Sequence, residues 1–167
     1  EKLGTAKVLI VGMGGLGCPV LQYLVGVGVG TIGIMDADKI SKSNLHRQLL
    51  YDEKEVGRLK VEVAANKAKA QNSSVDIVEY PFTDNFSAKY LINDVCVWLQ
   101  KPVVFGAVSG YEGQVAIFNF SSDAKPTIHY RHLFPVQPAA NEFATCEETG
   151  VIGVLPGIIG TMQAAEA

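Results

Sequence analysis

The sequence predicts one α/β domain, with a mainly parallel sheet, flanking helices and an antiparallel strand portion towards the C-terminal end. Short apolar runs rich in β-branched residues alternate with longer segments of helical periodicity, which is typical of this fold class. The chain has 167 residues, 48% of them hydrophobic, which is enough for one large core. A glycine-rich turn joins the first apolar run to the first helical segment, as in a βαβ unit.

This turn is the most informative stretch of the chain. An apolar run over residues 7–11 precedes it, and helical periodicity continues from 18 to 25. The Gly-x-Gly-x-x-Gly spacing is formed by Gly12, Gly14 and Gly17, with Gly15 as a fourth glycine. Glycines permit a sharp bend, leave room for a phosphate oxygen and let the helix pack close to the strand. The turn and the N–H groups of the following helix therefore predict a nucleotide phosphate site, although such a turn can also be only a tight connection.

The second predicted strand covers Thr31–Met35 and is followed by Asp36, 19 positions after Gly17. In dinucleotide-binding folds an acid about 20 residues after the glycines meets the ribose hydroxyls. An acid at a strand end is also common as a solvated turn residue. The spacing favours ribose binding.

Residues 38–48 form a polar segment that is unusually rich in side-chain donors. Three of them share one helical turn by their spacing, namely Asn44, Arg47 and Gln48. Arg47 has the geometry to clamp phosphate oxygens with two hydrogen bonds. The alternative is a charged surface helix, and His46 is interpreted as a surface residue.

A long helix is predicted from Lys60 to Ala70, with an apolar face formed by valine and alanine residues. Lys60 lies in its first turn, where a cation opposes the helix dipole. Its position is therefore unfavourable unless the side chain reaches an anion. Local inconsistencies of this kind often mark functional residues.

The rest of the chain is predicted to complete the α/β pattern. The expected elements are a strand over 75–82, a turn over 83–86, a helix over 87–99, strands over 101–108 and 114–120, a polar-aromatic stretch over 126–134, a loop over 135–140, and an apolar core segment over 150–162 that leads into a helix.

Composition argues against several classes of partner. The formal charge is −3 and basic residues are scattered among acids, so no nucleic-acid surface is expected. The apolar segment over 150–162 is interrupted by Pro156 and glycines and is shorter than the roughly 20 residues of a membrane span, so no membrane partner is expected. Three separated cysteines and the lack of an apolar leader before the first strand favour a reducing cytoplasm.

Six motifs taken in order resemble one family. They are Gly-x-Gly-Gly-Leu-Gly at 12–17, Asp-Ala-Asp at 36–38, Asn-Leu-His-Arg-Gln at 44–48, Gly-Arg-Leu-Lys at 57–60, Thr-Asp-Asn-Phe at 83–86, and Cys-x-x-x-Gly at 146–150. This set is similar to that of the ThiF, MoeB and HesA family of ubiquitin-activating-like adenylating enzymes. The resemblance implies a Rossmann-like fold, ATP as cofactor, and a homodimer.

The resemblance also implies a reaction and a role for each motif. The C-terminal glycine carboxylate of a ubiquitin-like sulfur carrier, ending in Gly-Gly, attacks the α-phosphate of Mg·ATP, and pyrophosphate leaves. The implied phosphate cradle is Gly12, Gly14, Gly15 and Gly17; Asp36 holds the ribose, and Asp38 belongs to the same nucleotide site. The residues implied to face the triphosphate are Asn44, Arg47, Gln48 and Lys60, and Asp84 is the implied Mg²⁺ ligand.

Cys146 occupies the position of a cysteine that, in the thiamine branch of the family, is proposed to join the carrier covalently. A lone cysteine can equally be an inert apolar residue, and reactivity requires a lowered pKa. Both interpretations stay open, and Glu147 and Glu148 disfavour the thiolate.

The chain departs from the family pattern at a zinc pair, at the junction before Thr83, and in lacking the family's N-terminal helix before Glu1. The first of two Cys-x-x-Cys zinc pairs is replaced by His129 and His132, so structural zinc requires further ligands after Ala167. The strand over 75–82 runs directly into the Thr83 turn, whereas a parallel crossover needs a dozen or more residues. We therefore expect residues 1–167 to be one adenylation domain that lacks an N-terminal helix, an internal segment near 82–83 and its C-terminal end.

Two other functions share part of this pattern. An NAD-dependent oxidoreductase shares the glycine turn and Asp36 but leaves the segment 44–48, Lys60 and Asp84 unexplained. A non-catalytic scaffold that binds a ubiquitin-like partner is consistent with the histidines and the short junction. The sequence does not separate thiamine from molybdenum-cofactor sulfur transfer.

Overall fold

The structure is a computed structural model, and it describes residues 2–81, 86–120, 127–137 and 150–167. The helices are α1 (Lys2–Thr5), α2 (Gly17–Gly26), α3 (Lys60–Gln71), α4 (Phe86–Trp98), α5 (Tyr130–Leu133) and α6 (Val154–Glu166). The strands are β1 (Lys7–Val11), β2 (Thr31–Met35), β3 (Asp76–Tyr80), β4 (Val103–Ser109) and β5 (Glu112–Phe118). Short 3₁₀ turns cover Lys42–Asn44 and Glu53–Glu55.

The first three strands form a parallel sheet in the order β1-β2-β3. Consecutive strands are joined by α2 and α3, which are the crossover helices of two βαβ units. All three strands end at the same edge, where the glycine turn and the polar segment after β2 also begin. The fold class expected from the sequence is confirmed.

One face of this sheet carries the main core. Ile10, Ile32, Ile34 and Ile77 project from it and are at most 6% exposed. They pack with apolar residues of α2 and α3, including Leu21, Val25, Val61 and Ala64. Burial of this apolar surface is the dominant stabilising contribution to the βαβ units.

The opposite face of the same sheet is largely bare in the described part of the chain. Leu9, Gly33 and Val78 are paired across the three strands on this face. Leu9 is 53% exposed and Tyr80 is 36% exposed. Parallel sheets usually have both faces covered. In the described part of the chain, the Leu9 face of this sheet is covered less than the Ile10 face.

The second half of the chain forms a smaller unit. Strands β4 and β5 pair in antiparallel fashion, and Tyr90, Phe118 and Tyr130 form a separate aromatic cluster beneath them. Helix α6 packs on α2, β4 and β5 and so connects this unit to the glycine turn. The side-chain amide of Gln163 on α6 donates to the carbonyl of Val104, 3.2 Å away.

Most predicted elements are observed within one or two residues of their expected bounds. The polar-aromatic stretch over 126–134 is described from residue 127, and it contains the short helix α5 and no named strand. The apolar core segment over 150–162 is mostly helix, since α6 begins at Val154 with Pro156 in its first turn, where proline costs no hydrogen bond. Within the described ranges no helix is long and apolar enough to cross a membrane.

The two faces of the parallel sheet differ in burial, and paired substitutions test this difference. We expect Ile34→Ala to lower the free energy of unfolding by about 2–5 kcal/mol, because its side chain is fully buried. Leu9→Ala should cost less than about 1 kcal/mol, because its side chain is half exposed. Urea unfolding followed by circular dichroism measures both, and equal losses would show that the Leu9 face is covered.

Candidate functional site

The glycine turn leaves β1 through a sharp backbone bend. Gly12 has a φ of +89°, which non-glycine residues rarely adopt, and its N–H donates to the carbonyl of Met35 at 2.8 Å. A Cβ on Gly17 would lie 1.9 Å from the carbonyl oxygen of Gly12. Helix α2 therefore begins in direct contact with the turn. The N-terminus of a helix favours an anion, so this end of α2 suits a phosphate group.

The other two glycines of the turn have different surroundings. A Cβ on Gly15 would lie 2.8 Å from Pro156 of α6 and 3.2 Å from the carbonyl oxygen of Arg47. A Cβ on Gly14 would meet only the side-chain nitrogen of Gln48, at 3.6 Å. Gly15 thus serves tight packing, whereas Gly14 keeps the backbone open on the side of Gln48.

Met13, between these glycines, is held at both of its backbone polar groups. Its N–H donates to Oδ2 of Asp36 at 2.7 Å, and its carbonyl accepts from the hydroxyl of Tyr51 at 2.9 Å. The other carboxylate oxygen of Asp36 accepts the N–H of Asp38, also at 2.7 Å. Asp36 therefore fixes the turn to the loop after β2, a structural role that the spacing argument did not anticipate.

Lys60 is the first residue of α3, and its side chain is only 5% exposed. Its Nζ lies 2.7 Å from Oδ2 of Asp38 and 3.6 Å from Oδ2 of Asp36. These two carboxylates are the anions that the misplaced charge of Lys60 required. The contacts bring a buried cation to the edge of the sheet, beside the glycine turn, while the carboxylate of Asp38 stays 72% exposed.

The polar segment folds as a compact turn. After the 3₁₀ turn, the N–H groups of Arg47 and Gln48 both donate to the carbonyl of Asn44. Asn44 and Gln48 are buried, whereas Arg47 is half-buried and its Nη1 lies 3.4 Å from the carbonyl of Ser43. The exposed His46 ring contacts that same carbonyl at 2.9 Å, so it is a surface residue.

Gln48 is the polar residue of this segment with unused capacity. It is 4% exposed, and its Oε1 is buried without a hydrogen-bond partner among the residues described. A buried acceptor without a donor costs about 1–3 kcal/mol. The side-chain nitrogen of Gln48, and not this oxygen, is the atom that faces Gly14. The amide therefore offers a hydrogen-bond donor to a polar ligand at the glycine turn.

Two predicted site residues, Asp84 and Cys146, lie outside the described residues. Within the described ranges, no group of three His, Cys, Asp or Glu side chains could hold a metal ion. The two histidines that replace the family's first zinc pair cap α5, because Nδ1 of His132 accepts the backbone N–H of His129 at 3.1 Å. The structure therefore brings together the glycines, Asp36, Asp38, Gln48 and Lys60. Asn44 and Arg47 lie in the same compact turn as Gln48.

Sequence reasoning missed Tyr51. It follows two leucines in a stretch without a motif, and its 5% exposure and two backbone contacts depend entirely on tertiary packing. An aromatic residue close to a polar motif is too common to indicate such a role. Only the position of α3 against the turn reveals it.

Together, these features define an α/β protein of two βαβ units with a buried lysine beside its glycine turn. Comparison with known proteins narrows the class: the ThiF family profile matches residues 1–83 and 82–167. The chain therefore belongs to the ThiF family, and the resemblance seen in the sequence is confirmed.

The relatives of the chain are named adenylyltransferases. The sulfur carrier protein adenylyltransferase of Thermus thermophilus is 42% identical over 193 aligned positions, covering all of this chain and 69% of that protein. UBA4 of Meyerozyma guilliermondii, an adenylyltransferase and sulfurtransferase, is 43% identical, covering 99% of this chain. The chain spans only 43% of UBA4 and 46% of the corresponding Caenorhabditis briggsae protein, MOCS3.

Solved structures with the same fold include E. coli MccB. Its complex with MccA-N7isoASN has a TM-score of 0.81 and 21% sequence identity, covering 98% of this chain and 56% of that chain. A structure of MccB with ATP has a TM-score of 0.72 at 21% identity, covering 99% of this chain and 55% of that chain. At this identity the likeness concerns the fold.

Two glycine substitutions separate folding from binding. Gly14→Ala should leave the melting temperature nearly unchanged, because its Cβ would only contact Gln48, but we expect at least tenfold weaker ATP binding because the methyl group occupies the phosphate space. Gly17→Ala should destabilise the fold itself, because its Cβ overlaps the Gly12 carbonyl. Calorimetric titration and thermal melts distinguish the two, and unchanged ATP binding by Gly14→Ala would contradict this site.

The buried thiol of Cys18 should be unreactive. Burial raises the pKa of Cys18 to about 12, so at pH 8 almost none of it is the nucleophilic thiolate. We expect iodoacetamide to modify Cys18 only after unfolding in urea, as measured by peptide mass spectrometry. Rapid labelling in the native protein at pH 8 would show that this part of α2 opens.

Proposed function

We propose that this chain is the ATP-binding part of an enzyme that adenylates the C-terminal glycine of a ubiquitin-like sulfur carrier protein ending in Gly-Gly. The observation that carries the proposal is the buried Lys60, held beside the glycine turn by Asp36 and Asp38. A cation in this position would neutralise part of the negative charge of a polyphosphate bound to the turn. The names of the relatives support the choice of substrate.

The reaction requires charge neutralisation more than proton transfer. The carrier carboxylate is already a nucleophile, and one of its oxygens forms a bond to the α-phosphorus of ATP. The bond from that phosphorus to the oxygen bridging to the β-phosphate breaks, and pyrophosphate leaves with the electron pair. Negative charge accumulates on phosphate oxygens, where preorganised N–H groups and cations stabilise the transition state.

The described residues can supply this stabilisation. The N–H groups at the start of α2 lie at the end of the glycine turn, and Lys60 supplies a charge that water screens little because its side chain is buried. Since its partner Asp38 is exposed, an incoming phosphate can compete for the ammonium group. Arg47 and Asn44 are proposed to contact the triphosphate, and Asp36 the ribose.

Mg²⁺ is proposed as the second cofactor, with Asp84 as its carboxylate ligand, because a hard cation prefers carboxylate and water oxygens. Bound Mg²⁺ would neutralise the charge of the leaving pyrophosphate. A covalent link between Cys146 and the carrier also remains a proposal. Thiamine or molybdenum-cofactor sulfur transfer, a homodimer and a cytoplasmic location are further proposals of the same kind.

The junction between Phe82 and Thr83 is proposed to lack a segment that relatives possess. The two parts of the family match meet at residues 82–83. The alignment with the Thermus protein covers 193 positions against 167 residues here, so it passes over residues of that protein without a counterpart in this chain. A missing strand and helix are also consistent with the bare Leu9 face of the sheet.

ATP–pyrophosphate exchange tests the proposed function. With carriers ending in Gly-Gly we expect carrier-dependent exchange, and Lys60→Met should lower its rate at least about 100-fold, because a charge that stabilises the transition state is lost. Lys69→Met is the control. Lys69 lies in the last turn of the same helix and is exposed, away from the glycine turn, so exchange should persist.

Three results would overturn the proposal, and two of them would favour a different function. Absence of exchange with every carrier would reject the enzyme. Tight carrier binding without exchange would support the scaffold. Calorimetric binding of NAD⁺ without binding of ATP would support the oxidoreductase.

A further inference from the structure

We propose that Tyr51 is a positioning residue of the nucleotide site: its hydroxyl anchors the glycine turn beside the first residue of α3, so that the turn and Lys60 bind one triphosphate. The proposal rests on the proposed function, because it assigns the turn and Lys60 a common ligand. Tyr51 belongs to none of the six motifs. Its role follows from contacts in the folded chain.

The hydroxyl of Tyr51 lies between two backbone carbonyls from different elements. It donates to the Met13 carbonyl at 2.9 Å and is 3.4 Å from the carbonyl of Lys60. The shorter contact is the stronger hydrogen bond, since a hydroxyl has one proton to donate. The side chain of Tyr51 is buried, so water does not compete for either carbonyl.

These contacts close a ring of four residues. Met13 donates its N–H to Asp36, Asp36 lies 3.6 Å from the ammonium of Lys60, and the carbonyl of Lys60 contacts Tyr51, which donates back to Met13. Each member is at most 5% exposed. Two hydrogen bonds, one ion pair and one contact between a hydroxyl and a carbonyl thus favour one arrangement of the turn and α3.

Removal of the hydroxyl would leave Met13 with a poor substitute. The other nearby donor to its carbonyl is the thiol of Cys18, whose sulfur is 3.7 Å away and donates weakly. Burial raises the pKa of Tyr51 far above its ordinary value, so the hydroxyl remains a donor at every pH at which the protein would be assayed. Without it, the turn can shift relative to Lys60.

Such a shift should affect catalysis more than binding. ATP can still bind through the turn or Lys60 separately, whereas the transition state requires both at fixed distances from the α-phosphate. A displacement of about 1 Å can cost roughly 100-fold in rate. We therefore expect Tyr51→Phe to lower kcat of ATP–pyrophosphate exchange about 10–100-fold, while KM for ATP changes less than about threefold.

Tyr90→Phe is a matched control. The Tyr90 hydroxyl likewise donates to a backbone carbonyl, that of Val136, at 3.0 Å, but it belongs to the aromatic cluster under β4 and β5. The Tyr90→Phe variant should lose a similar free energy of unfolding to Tyr51→Phe, but its kcat should not change. A general loss of stability would therefore affect both variants, and a positioning defect only one.

Amide hydrogen exchange tests the proposal independently of activity. We expect Tyr51→Phe to accelerate exchange in peptides covering residues 12–17 and 58–62, and Tyr90→Phe to leave these peptides unchanged. Unchanged amide exchange together with unchanged kcat in Tyr51→Phe would overturn the proposal. If wild-type protein shows no pyrophosphate exchange, the proposed function fails, and amide exchange alone decides the role of Tyr51.

Discussion

The structure depends on how Met13 is fixed between two partners. The carboxylate of Asp36, at the end of β2, accepts a hydrogen bond from the N–H of Met13. The hydroxyl of Tyr51, in the segment before α3, donates a hydrogen bond to the carbonyl of Met13. Because both groups are buried, loss of either bond leaves a polar atom unsatisfied. The glycine turn, whose residues have little conformational restriction of their own, is thereby fixed relative to both crossover units.

Lys60 shows how an unfavourable local choice becomes functional. A lysine at a helix N-terminus opposes the dipole, and burial of its charge adds a desolvation cost. Asp36 and Asp38 offset both effects, and they come from the same loop that holds the turn. One pair of carboxylates thus both supports the turn and holds the charge of Lys60 in place. The site is therefore sensitive to a change in either carboxylate.

The sequence predicted those parts of the site that depend on local pattern. The bounds of β1 and β2 follow from short apolar runs, and the need of Lys60 for an anion follows from its helix position. Contacts between residues far apart in the sequence could not be predicted from it. Nothing in the spacing indicates that Pro156 of α6 packs on Gly15 or that Tyr51 reaches Met13, because both depend on how distant elements pack. The same holds for His129 and His132, which cap the short helix α5, whose Tyr130 belongs to the aromatic cluster.

The central claim is that the turn, the loop after β2 and Lys60 bind one triphosphate. A crystal structure with a non-hydrolysable ATP analogue and Mg²⁺ tests it most directly. We expect phosphate oxygens within hydrogen-bond distance of the backbone N–H groups of residues 14–17 and of Nζ of Lys60, with the ribose beside Asp36. A nucleotide bound elsewhere, or a phosphate chain that leaves Lys60 paired only with Asp36 and Asp38, would contradict it.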